Sequence, residues 1–484
     1  MQHFRKPEER PFLAHEKGDV TLLFGGLTPT HEEILKGVLE GLGHKAEPLP
    51  TPDNGALAVG KEYGNRGQCN PTYYTVGNLI RYLQRLKETG EEEIEERYLF
   101  LTIGSCGPCR FGMYEAEYRK ALVDAGFGRF RVIIINQSGD VEKDEASGLK
   151  RDKAFYVALV KGIIAADLIN ELKYKIRPYE REKGATEAAV EEARHHLYLA
   201  FRDGHSIFGA LRRAGEIIGR VEVDYREVRP KVKMIGEFWA QTTEGDGNYN
   251  IASWLEKEGC EVMVEPVSGW IDYTIWWWEE YLKERIGVGR GIKRRWQLFA
   301  GFLRLRLVNL LFHFYYNFYR AAFGFVPKRL PSQSRLAKLG GAYYNPRIAG
   351  GEGHLEIAKN LLMTKEKKAH LVISIKPFGC MPSTQSDGVQ AKVLSDFKEG
   401  LFIPVETSGD GEVNVKSRIQ MKLHEARERA KEEFDRLFKE FGITREEFSE
   451  RVQHKMPALP ASKKIPEKTT TRAGDFALLV LRGR

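Results

Sequence analysis

Short apolar runs alternate with segments of helical periodicity along most of the chain, and this alternation is what most constrains the fold. The runs Val20–Phe24, Tyr98–Ile103 and His370–Ile375 are each followed by a glycine-containing loop and then by a helical pattern. Parallel strands need such a crossover, because the chain must return to the same edge of the sheet before the next strand begins. The sequence therefore predicts an α/β protein with two or three Rossmann-like parallel-sheet domains and an additional helical region.

The same patterns give the remaining elements and a division of the chain. Further strands are expected at Val132–Ile135, Val232–Gly236, Glu261–Val264 and Phe402–Val405. Helices are expected at His31–Leu42, Pro71–Leu86, Tyr114–Ala125, Tyr249–Glu258 and Val415–Phe441. The predicted parts are a polar N-terminal arm (1–18), an α/β domain with Cys69, Cys106 and Cys109 (19–150), a helical connection (151–230), a second α/β unit with an aromatic helical insert (231–330), an α/β part with Cys380 (331–450) and a C-terminal tail (451–484).

Cysteine usage and the first residues indicate a cytoplasmic protein with reduced thiols. The chain has five cysteines, which is an odd number for a disulfide framework. Its first 19 residues are polar and lack the apolar core of a secretory signal. The net charge of +8 favours anionic ligands such as coenzyme-A-type phosphates, or an acidic redox partner. Nucleic acid is not expected as a partner, because the basic residues are interleaved with acidic ones and no zinc-finger or RNA-binding motif is present.

The most apolar stretch, Phe299–Phe325, is interrupted by charged residues. Its longest uncharged piece is shorter than the roughly 20 residues that a membrane span needs, so no transmembrane segment is predicted. A buried helix in a soluble domain is favoured over an interfacial membrane helix. For the wider aromatic insert at 272–325, core packing is favoured over a substrate cavity or a partner-docking surface. Its tryptophans include Trp276, Trp277, Trp278 and Trp296.

Three of the four cysteines other than Cys260 lie where parallel α/β sheets gather ligands. Cys106 and Cys109 follow the predicted strand Tyr98–Ile103, and Cys380 follows the strand His370–Ile375. Cys69 directly precedes a predicted helix, and glycine and proline flank all of these positions in the segments GQCNP, SCGPCRFG and PFGCMP. Glycine permits close approach of the backbone to an inorganic cluster, and a helix N-terminus favours the thiolate that ligates it. This pattern predicts a metal or cluster site.

Several interpretations of these thiols remain open at this level. Soft thiolate ligands suit iron–sulfur clusters, zinc or copper(I), and only Cys106 and Cys109 have the short spacing of a zinc knuckle. The same pair also fits a thioredoxin-type dithiol, because it follows a strand and precedes a helix. Inert buried cysteines are the third interpretation, and Cys260 in WLEKEGCEV is best explained in that way.

Three segments resemble motifs of a known superfamily. GKEYGNRGQCNPTYYTVGNLI, GPCRFGMY and KPFGCMP are similar to those of the 2-hydroxyacyl-CoA dehydratase/benzoyl-CoA reductase superfamily, and the resemblance extends from Val20 to Phe441. It is strongest to the C-terminal part of acyl-CoA dehydratase activase-related proteins (CoA protein activases). The segments Ile176–Glu180 and Ile235–Phe238, with the helix start near Asn248–Asn250, support it.

The resemblance implies a cofactor and a partner. It implies a [4Fe–4S] cluster held by Cys69, Cys109 and Cys380, with one iron open to a substrate oxygen, a sulfide or a second cubane. It also implies a separate actin-like ATPase with its own iron–sulfur cluster, which drives low-potential electrons into this one. ATP would act only through that partner, because this sequence has no phosphate-binding loop. A homodimer or a paralogous second subunit would supply the further thiolates that a double cubane requires.

Cys106 and the aromatic insert depart from the family pattern. Cys106 is an additional thiol, which either closes the cluster as a fourth ligand or ligates an enlarged cluster such as a double cubane. Arg110 is a further candidate, either neutralising cluster charge or forming a surface salt bridge. Weaker candidates that follow strands or open helices are Tyr73, Tyr74, Tyr114, Glu237, the loop Thr242–Asn248 and His354.

Three functions follow from these alternatives. The first is an oxygen-sensitive iron–sulfur protein of anaerobic metabolism that accepts electrons from an ATP-hydrolysing activase, as a reductase or dehydratase component. The second is a scaffold that assembles or delivers clusters to another enzyme. The third is a thiol–disulfide protein that uses Cys106 and Cys109. The substrate is not indicated by any set of residues in the sequence.

Overall fold

A computed structural model of the chain describes residues 9–105, 109–136, 147–288, 291–324, 326–348, 351–455, 459–465 and 467–481. Four strands form a first sheet: β1 (Thr21–Phe24), β2 (Lys45–Pro48), β3 (Tyr98–Gly104) and β4 (Arg131–Asn136). They pair in the order β2-β1-β3-β4 and every pair is parallel. Leu22 lies opposite Leu99 in this sheet, and both side chains are fully buried, as expected where helices cover both faces.

Five helices flank the first sheet: α1 (Pro29–Gly41), α2 (Asn54–Tyr63), α3 (Asn70–Glu88), α4 (Ile94–Arg97) and α5 (Tyr114–Asp124). Helix α1 begins with Pro29 after Thr28, whose hydroxyl accepts a hydrogen bond from the His31 N–H at 3.3 Å. The chain before β1 includes a short 3-10 helix, Ala14–Glu16, and packs on this domain through buried Phe12.

A helical region follows the first sheet. It contains α6 (Lys153–Ile176), a 3-10 turn at Arg177–Tyr179, α7 (Ala185–Arg202), α8 (Ile207–Gly219) and the short strand β5 (Glu222–Val223). The buried side chains of α6 include Ile164, Leu168 and Leu172, which belong to the largest apolar cluster of the protein. This cluster joins the region to helices from later in the chain.

The second sheet combines strands from residues 231–330 and 331–450, which the sequence analysis assigned to two separate parts. Its strands are β6 (Lys231–Gly236), β7 (Glu261–Met263), β8 (Leu371–Pro377) and β9 (Phe402–Thr407). They pair in the order β7-β6-β8-β9, again all parallel. Every residue of β8 is buried, because β8 lies in the centre of the sheet. Two four-stranded parallel sheets with covering helices confirm the predicted α/β class.

The helices around the second sheet are α9 (Phe238–Thr242), α10 (Ile251–Lys257), α11 (Val267–Val288), α12 (Ile292–Ala322), α13 (Gln333–Gly340), α14 (Gly353–Lys365), α15 (Met381–Asp396) and α16 (Glu412–Phe441), with a 3-10 turn at Asp246–Asn248. Helix α16 buries a stripe of apolar residues at helical spacing, among them Ile419, Leu423 and Phe434, and exposes its charges. It therefore covers the sheet as an ordinary amphipathic helix.

The residues after Met456 were expected to form a terminal tail, but part of this segment belongs to the core. After α17 (Arg445–Lys455), strand β10 (Leu459–Pro460) pairs antiparallel with β5. Helix α18 (Arg472–Leu481) then buries Phe476 and Val480 in the largest apolar cluster. The many lysines and threonines that precede α18 hid this short apolar helix in the sequence pattern.

Helices α11 and α12 form a long helical hairpin, and most of α12 is exposed. By length and composition alone α12 could cross a membrane, and only 6% of its most apolar 18 residues are buried. The prediction that this stretch is a buried helix is therefore wrong for most of its length. Only its last third contributes to the core, through Phe312, Tyr316 and Tyr319.

The carboxyl ends of the two sheets face each other. Gly26, which follows β1, lies against Trp239, which follows β6: a Cβ atom added to Gly26 would be 3.8 Å from Nε1 of Trp239. The Asn54 N–H donates to the Asp246 carboxylate at 3.0 Å across the same boundary. Ligands of α/β sheets bind beyond the carboxyl ends of the strands, so this boundary is where a functional site is expected.

Candidate metal centre

Three cysteines occupy equivalent places, each immediately before a helical segment. Cys69 precedes α3, Cys380 precedes α15, and Cys109 precedes the 3-10 turn Arg110–Met113 that leads into α5. All three have extended backbone angles, and proline follows two residues after Cys69 and Cys380, in the first turn of each helix. Proline lacks the N–H that a first turn leaves unpaired, so it starts the helix without loss of a hydrogen bond.

The loops that carry the three cysteines meet at the boundary between the sheets. A Cβ on Gly379, next to Cys380, would lie 3.2 Å from Nη1 of Arg110 and 3.8 Å from the carbonyl oxygen of Gln68. Arg110 follows Cys109, and Gln68 precedes Cys69. Gly379 also has a φ of +78°, which glycine adopts without strain. The structure thus brings together Cys69, Cys109 and Cys380, which are separated by 40 or more residues in sequence.

Arg110 lies between the loops of Cys69 and Cys380 and not in a surface salt bridge. Its guanidinium donates a hydrogen bond to the carbonyl oxygen of Gly67. In the described part of the chain, no carboxylate is within ion-pair distance of this guanidinium. The positive charge is therefore held beside the cysteines, where it would stabilise negative charge on an anionic ligand or cluster.

Two of the thiols already have hydroxyl groups beside them. The sulfur of Cys69 lies 3.1 Å from the Tyr114 hydroxyl and 3.4 Å from the Thr72 hydroxyl. The thiol of Cys380 donates to the Ser383 hydroxyl over 3.3 Å. Hydroxyl groups can turn and donate to a thiolate, and such hydrogen bonds tune both the stability and the reduction potential of sulfur-ligated iron. Tyr114, a weaker candidate from the sequence, belongs to the site for this reason.

Burial keeps all three thiols protonated when no metal is bound. It raises the pKa of Cys69, that of Cys109 to about 12, and that of Cys380 further still. The carboxylates of Glu237 and Glu352 add to these shifts. Thiolates would be stable here only with a compensating positive charge such as iron. A free, reactive Cys109 thiolate, which the dithiol interpretation requires, is disfavoured near neutral pH.

The three cysteines provide soft ligands. Across the ranges that the structure describes, no group of three or more histidine, cysteine, aspartate or glutamate side chains is close enough to hold one metal ion. The buried thiols of Cys69 and Cys380 and the half-buried thiol of Cys109 lie around one boundary, with hydroxyl groups and an arginine beside them. Soft thiolates of this kind are the ligands that iron–sulfur clusters use.

Two glutamates that face the cysteines have no cationic partner among the described residues. The Glu352 carboxylate is buried and accepts the Phe238 N–H at 2.5 Å, while half-buried Glu237 caps α9 by accepting the Ala240 N–H at 2.8 Å. Loss of water raises the pKa of both side chains, that of Glu237 to about 7 and that of Glu352 to about 8. Repulsion from Glu356 adds to both shifts, and repulsion from Glu237 adds to that of Glu352. They are therefore proton-carrying groups close to the thiols, which is a frequent property of functional sites. Sequence analysis singled out Glu237 but missed Glu352.

A third glutamate connects to Cys380 through serines. The fully buried Glu356 carboxylate accepts hydrogen bonds from Ser383 at 2.7 Å, Ser386 at 2.6 Å and Ser374 at 3.3 Å. Burial still raises its pKa. The chain Cys380–Ser383–Glu356 therefore links a ligand thiol to a buried acid. It was not detectable in the sequence because Glu356 and the serines lie on different elements.

Other weak candidates have structural roles. Tyr73 accepts the Gln68 N–H at 3.2 Å and so holds the loop before Cys69. Tyr74 donates to Asn54 at 3.0 Å. His354 is buried between Tyr273 and Trp276, and burial lowers its pKa to about 4, so it is a neutral core histidine.

Loop Thr242–Asn248 and Cys260 lie outside the cysteine cluster. Buried Asn248 holds the loop by donating to the carbonyl oxygens of Ala240 and Thr243 at 2.8 Å and 2.7 Å. Cys260 is fully buried in the core of the second sheet, as expected for a structural cysteine. Cys106, proposed as a fourth ligand, lies outside the described residues.

The sequence analysis also missed Glu32, a buried acid beside the first sheet. Glu32, in α1, accepts the N–H of Gly26 at 3.0 Å just after β1. It is buried, and the loss of water raises its pKa to about 8. The glycine pair Gly25–Gly26 is the one signal in the sequence that marks this turn.

A large cavity lies away from the cysteines. It has a volume of roughly 1240 Å³, runs along edge strand β7 and reaches the amino ends of β6 and β8 at Lys231 and His370. We call it the β7 cavity. Buried ion pairs line it: Lys231 pairs with Glu261 at 3.3 Å, and Glu265 pairs with Lys233 and with Lys359, the latter at 2.9 Å. Its size would admit an extended ligand, but its walls hold no thiol.

Comparisons with models of known protein families and with curated proteins find no match for this chain. The resemblance to the dehydratase superfamily therefore rests on the short motifs and on the convergence of their cysteines.

Proposed function

We propose that this protein is an iron–sulfur protein that accepts low-potential electrons at a cluster held by Cys69, Cys109 and Cys380. The observation that carries the proposal is the convergence of three thiols from both sheets at one boundary, two of them buried and that of Cys109 half-buried. Motifs that resemble those of the 2-hydroxyacyl-CoA dehydratase superfamily surround each of these cysteines. The Rossmann-like domains expected of that superfamily agree with two parallel sheets whose carboxyl ends face each other.

When bound, a [4Fe–4S] cluster supplies one-electron chemistry, and three protein thiolates leave one iron open to an outside ligand. Arg110 would offset the negative charge of the thiolates and of an added electron. Tyr114 would donate a hydrogen bond to the ligand sulfur of Cys69. The Ser383 hydroxyl accepts from the Cys380 thiol and donates to Glu356, and it would turn to donate to the Cys380 sulfur once that sulfur is a thiolate. These groups together favour the more negative, reduced state of the centre.

Glu237 and Glu352 would hold protons beside that centre. Burial and neighbouring carboxylates raise the pKa of Glu237 to about 7 and that of Glu352 to about 8, so near neutral pH Glu352 is mostly neutral and Glu237 is partly so. A neutral carboxyl can donate a proton to a bound substrate or leaving group as electrons arrive. This supports a role for the protein as a reductase or dehydratase component and not only as an electron relay.

An ATP-hydrolysing activase with its own cluster is the proposed electron donor. The chain has no phosphate-binding loop of the G-x-x-x-x-G-K-[ST] type, so the free energy of ATP hydrolysis would enter through a separate protein. A partner must reach the boundary near Arg110, and this side chain is exposed.

The proposal is tested by anaerobic reduction of the purified, reconstituted protein. Visible absorption and EPR are followed while a strong one-electron chemical reductant is added, and Cys380→Ser serves as the matched variant. We expect the parent protein to bleach reversibly and to give a paramagnetic signal, and the variant to give neither. If the protein instead passes its cluster quantitatively to an apo-acceptor and is left without iron, the scaffold function is correct and the electron-accepting function is not.

A further inference from the structure

Helix α12 carries a long apolar stripe on its exposed face. Residues of this stripe follow one another at intervals of three or four, and each is at least 40% exposed. They are Ile292, Trp296, Phe299, Leu303, Leu307, Leu310, Phe314 and Phe318. At a rise of 1.5 Å per residue, this α12 stripe is about 39 Å long. Monomeric soluble proteins rarely leave so large an apolar surface open to water, so it indicates a docking surface.

The charges on α12 are all positive. Among its 31 residues there are no acids and six lysines or arginines. Lys293, Arg294 and Arg295 stand exposed in the first turn. At 100° per residue, Lys293 and Arg304 flank one side of the stripe, and Arg295 flanks the other. Cations on both sides of an apolar face are typical of helices that lie in the headgroup region of anionic membranes.

We propose that the α12 stripe docks the protein on an anionic lipid bilayer, with α12 parallel to the membrane surface. Its apolar side chains would enter the boundary between headgroups and acyl chains. The flanking lysines and arginines would contact lipid phosphates. This surface includes none of the residues of the cysteine site, so the proposal does not depend on the cluster.

A spanning orientation is disfavoured by the packing of α12. Its other face contacts α11, where Arg306 pairs with buried Glu279 at 3.3 Å and His313 with buried Asp272 at 3.0 Å. Near its end, Tyr316 and Tyr319 are buried in the apolar cluster that includes α6 and α8. Crossing a bilayer would remove these side chains from the core and place paired charges in hydrocarbon.

A second copy of this chain is a poorer occupant of the same surface. Two α12 stripes packed against each other would bring their arginine flanks together, with no acid on either helix to offset the repulsion. An anionic lipid surface instead provides the complementary charge. The two occupants therefore predict opposite effects of salt, because screening weakens binding to anionic lipid and relieves repulsion between two cationic helices.

The experiment is flotation of the full-length protein with vesicles of phosphatidylcholine, alone or mixed with phosphatidylglycerol. We expect the protein to float with the mixed vesicles at low salt, to float weakly with pure phosphatidylcholine, and to be released as salt increases. The oligomeric state is measured in the same buffers by light scattering, and we expect a monomer when no vesicles are present.

Two variants separate the contribution of the apolar side chains of α12 from that of its cationic side chains. Replacing Trp296, Leu307, Leu310 and Phe314 by glutamine should weaken binding by roughly 100-fold or more, because the apolar insertion is lost. Replacing Lys293, Arg294 and Arg295 by glutamine should weaken binding to mixed vesicles by roughly 100-fold and leave weak binding to phosphatidylcholine unchanged.

The matched control replaces Val413 and Met421 of α16, which are 78% and 70% exposed, by glutamine. This control should bind like the parent protein. The proposal is overturned if the parent protein does not float with mixed vesicles. It is equally overturned if the parent is a dimer that the stripe variant dissociates, or if the control loses as much binding as the stripe variant.

Discussion

Buried carboxylates at the cysteine site and along the β7 cavity have opposite surroundings. In the β7 cavity, Glu265 sits between the buried ammonium groups of Lys233 and Lys359, which lower its pKa to about 2. At the cysteine site, Glu352 is equally buried but has acids as neighbours, so its pKa is raised. In the first arrangement the opposite charges offset the cost of burying the carboxylate. In the second that cost is not offset, at a place where chemistry is expected.

The opposite pKa shifts distinguish a carboxylate in a structural ion pair from a carboxylate near the candidate site, although both lie beside the same sheet. Both glutamates lie near β6, so distance from the core does not distinguish them. What distinguishes them is whether an opposite charge is supplied by the chain itself. A centre that carries iron would supply the missing compensation at the thiols, and Arg110 supplies part of it from the side of the first sheet.

The largest expected effect is on stability and concerns Glu265, the carboxylate that has cationic partners. Glu265→Gln leaves Lys233 and Lys359 buried without a carboxylate, and we expect a loss of about 3–5 kcal/mol in the free energy of unfolding at pH 7. Because the pKa of Glu265 is lowered, the advantage of the parent protein should be present above about pH 4.5 and should decrease as the pH falls toward 2. Urea titrations across this pH range measure both effects.

The matched control for this variant is Glu428→Gln, which breaks an exposed pair with Lys431. No measurable change is expected there, because solvent screens such pairs. An equal loss of stability in both variants would remove the distinction between buried and exposed pairs.

The second largest effect on stability concerns Glu32, an acid beyond the carboxyl end of the first sheet that has no cationic partner among the described residues. Burial raises the pKa of Glu32 to about 8, so its contribution to stability is greatest below about pH 4.5 and is lost as the pH rises toward 8. Glu32→Gln keeps an acceptor for the Gly26 N–H and removes the charge. We expect the variant to be more stable than the parent by roughly 2–4 kcal/mol at pH 9 and equal to it near pH 4.

Thermal or urea unfolding of Glu32→Gln at the two pH values checks this prediction. A variant that is less stable than the parent at pH 9 would mean that the Glu32 carboxylate has a cationic partner in solution. The contrast between paired and unpaired acids would then fail at this position.

The smallest effect concerns the hydroxyl next to Cys380. The Ser383 hydroxyl donates to Glu356 while Cys380 is a thiol, but it can turn to donate to a Cys380 thiolate. Ser383→Ala removes this donor, whose effect is greatest in the reduced state, where the ligand sulfur carries more negative charge. We expect iron content to be kept and the reduction potential to fall by roughly 40 mV, the equivalent of one hydrogen bond of about 1 kcal/mol for one electron. An anaerobic redox titration measures this change, and an unchanged potential would show that Ser383 does not contact the ligand sulfur.

Much of the fold was predictable because its signals are local. The apolar runs of β1, β3, β6 and β8 and the helix starts after Cys69 and Cys109 depend on residues next to one another in sequence. Edge strand β2 was missed because its sequence, KAEP, has no apolar run. Helix α12 was misjudged because hydrophobicity alone does not tell whether an apolar face meets the core or the surroundings.

The candidate site was predictable only in part, for the same reason. Each cysteine stands in a glycine- and proline-rich turn that marks it locally. Glu352 and Glu356 carry no such mark, and their importance arises from α14 being placed beside β8 and α15. Long-range packing of this kind sets pKa values, and it has no signature in a single sequence.

The most direct test of the central claim is the iron and sulfide content of anaerobically reconstituted cysteine variants. The parent protein and Cys260→Ser, whose thiol lies in the core of the second sheet, should each bind about four irons and four sulfides per chain, or more if the cluster is enlarged. Cys69→Ser, Cys109→Ser and Cys380→Ser should each lose most of both, while circular dichroism confirms that they are folded. Iron content at the parent level in all three folded variants would contradict the account.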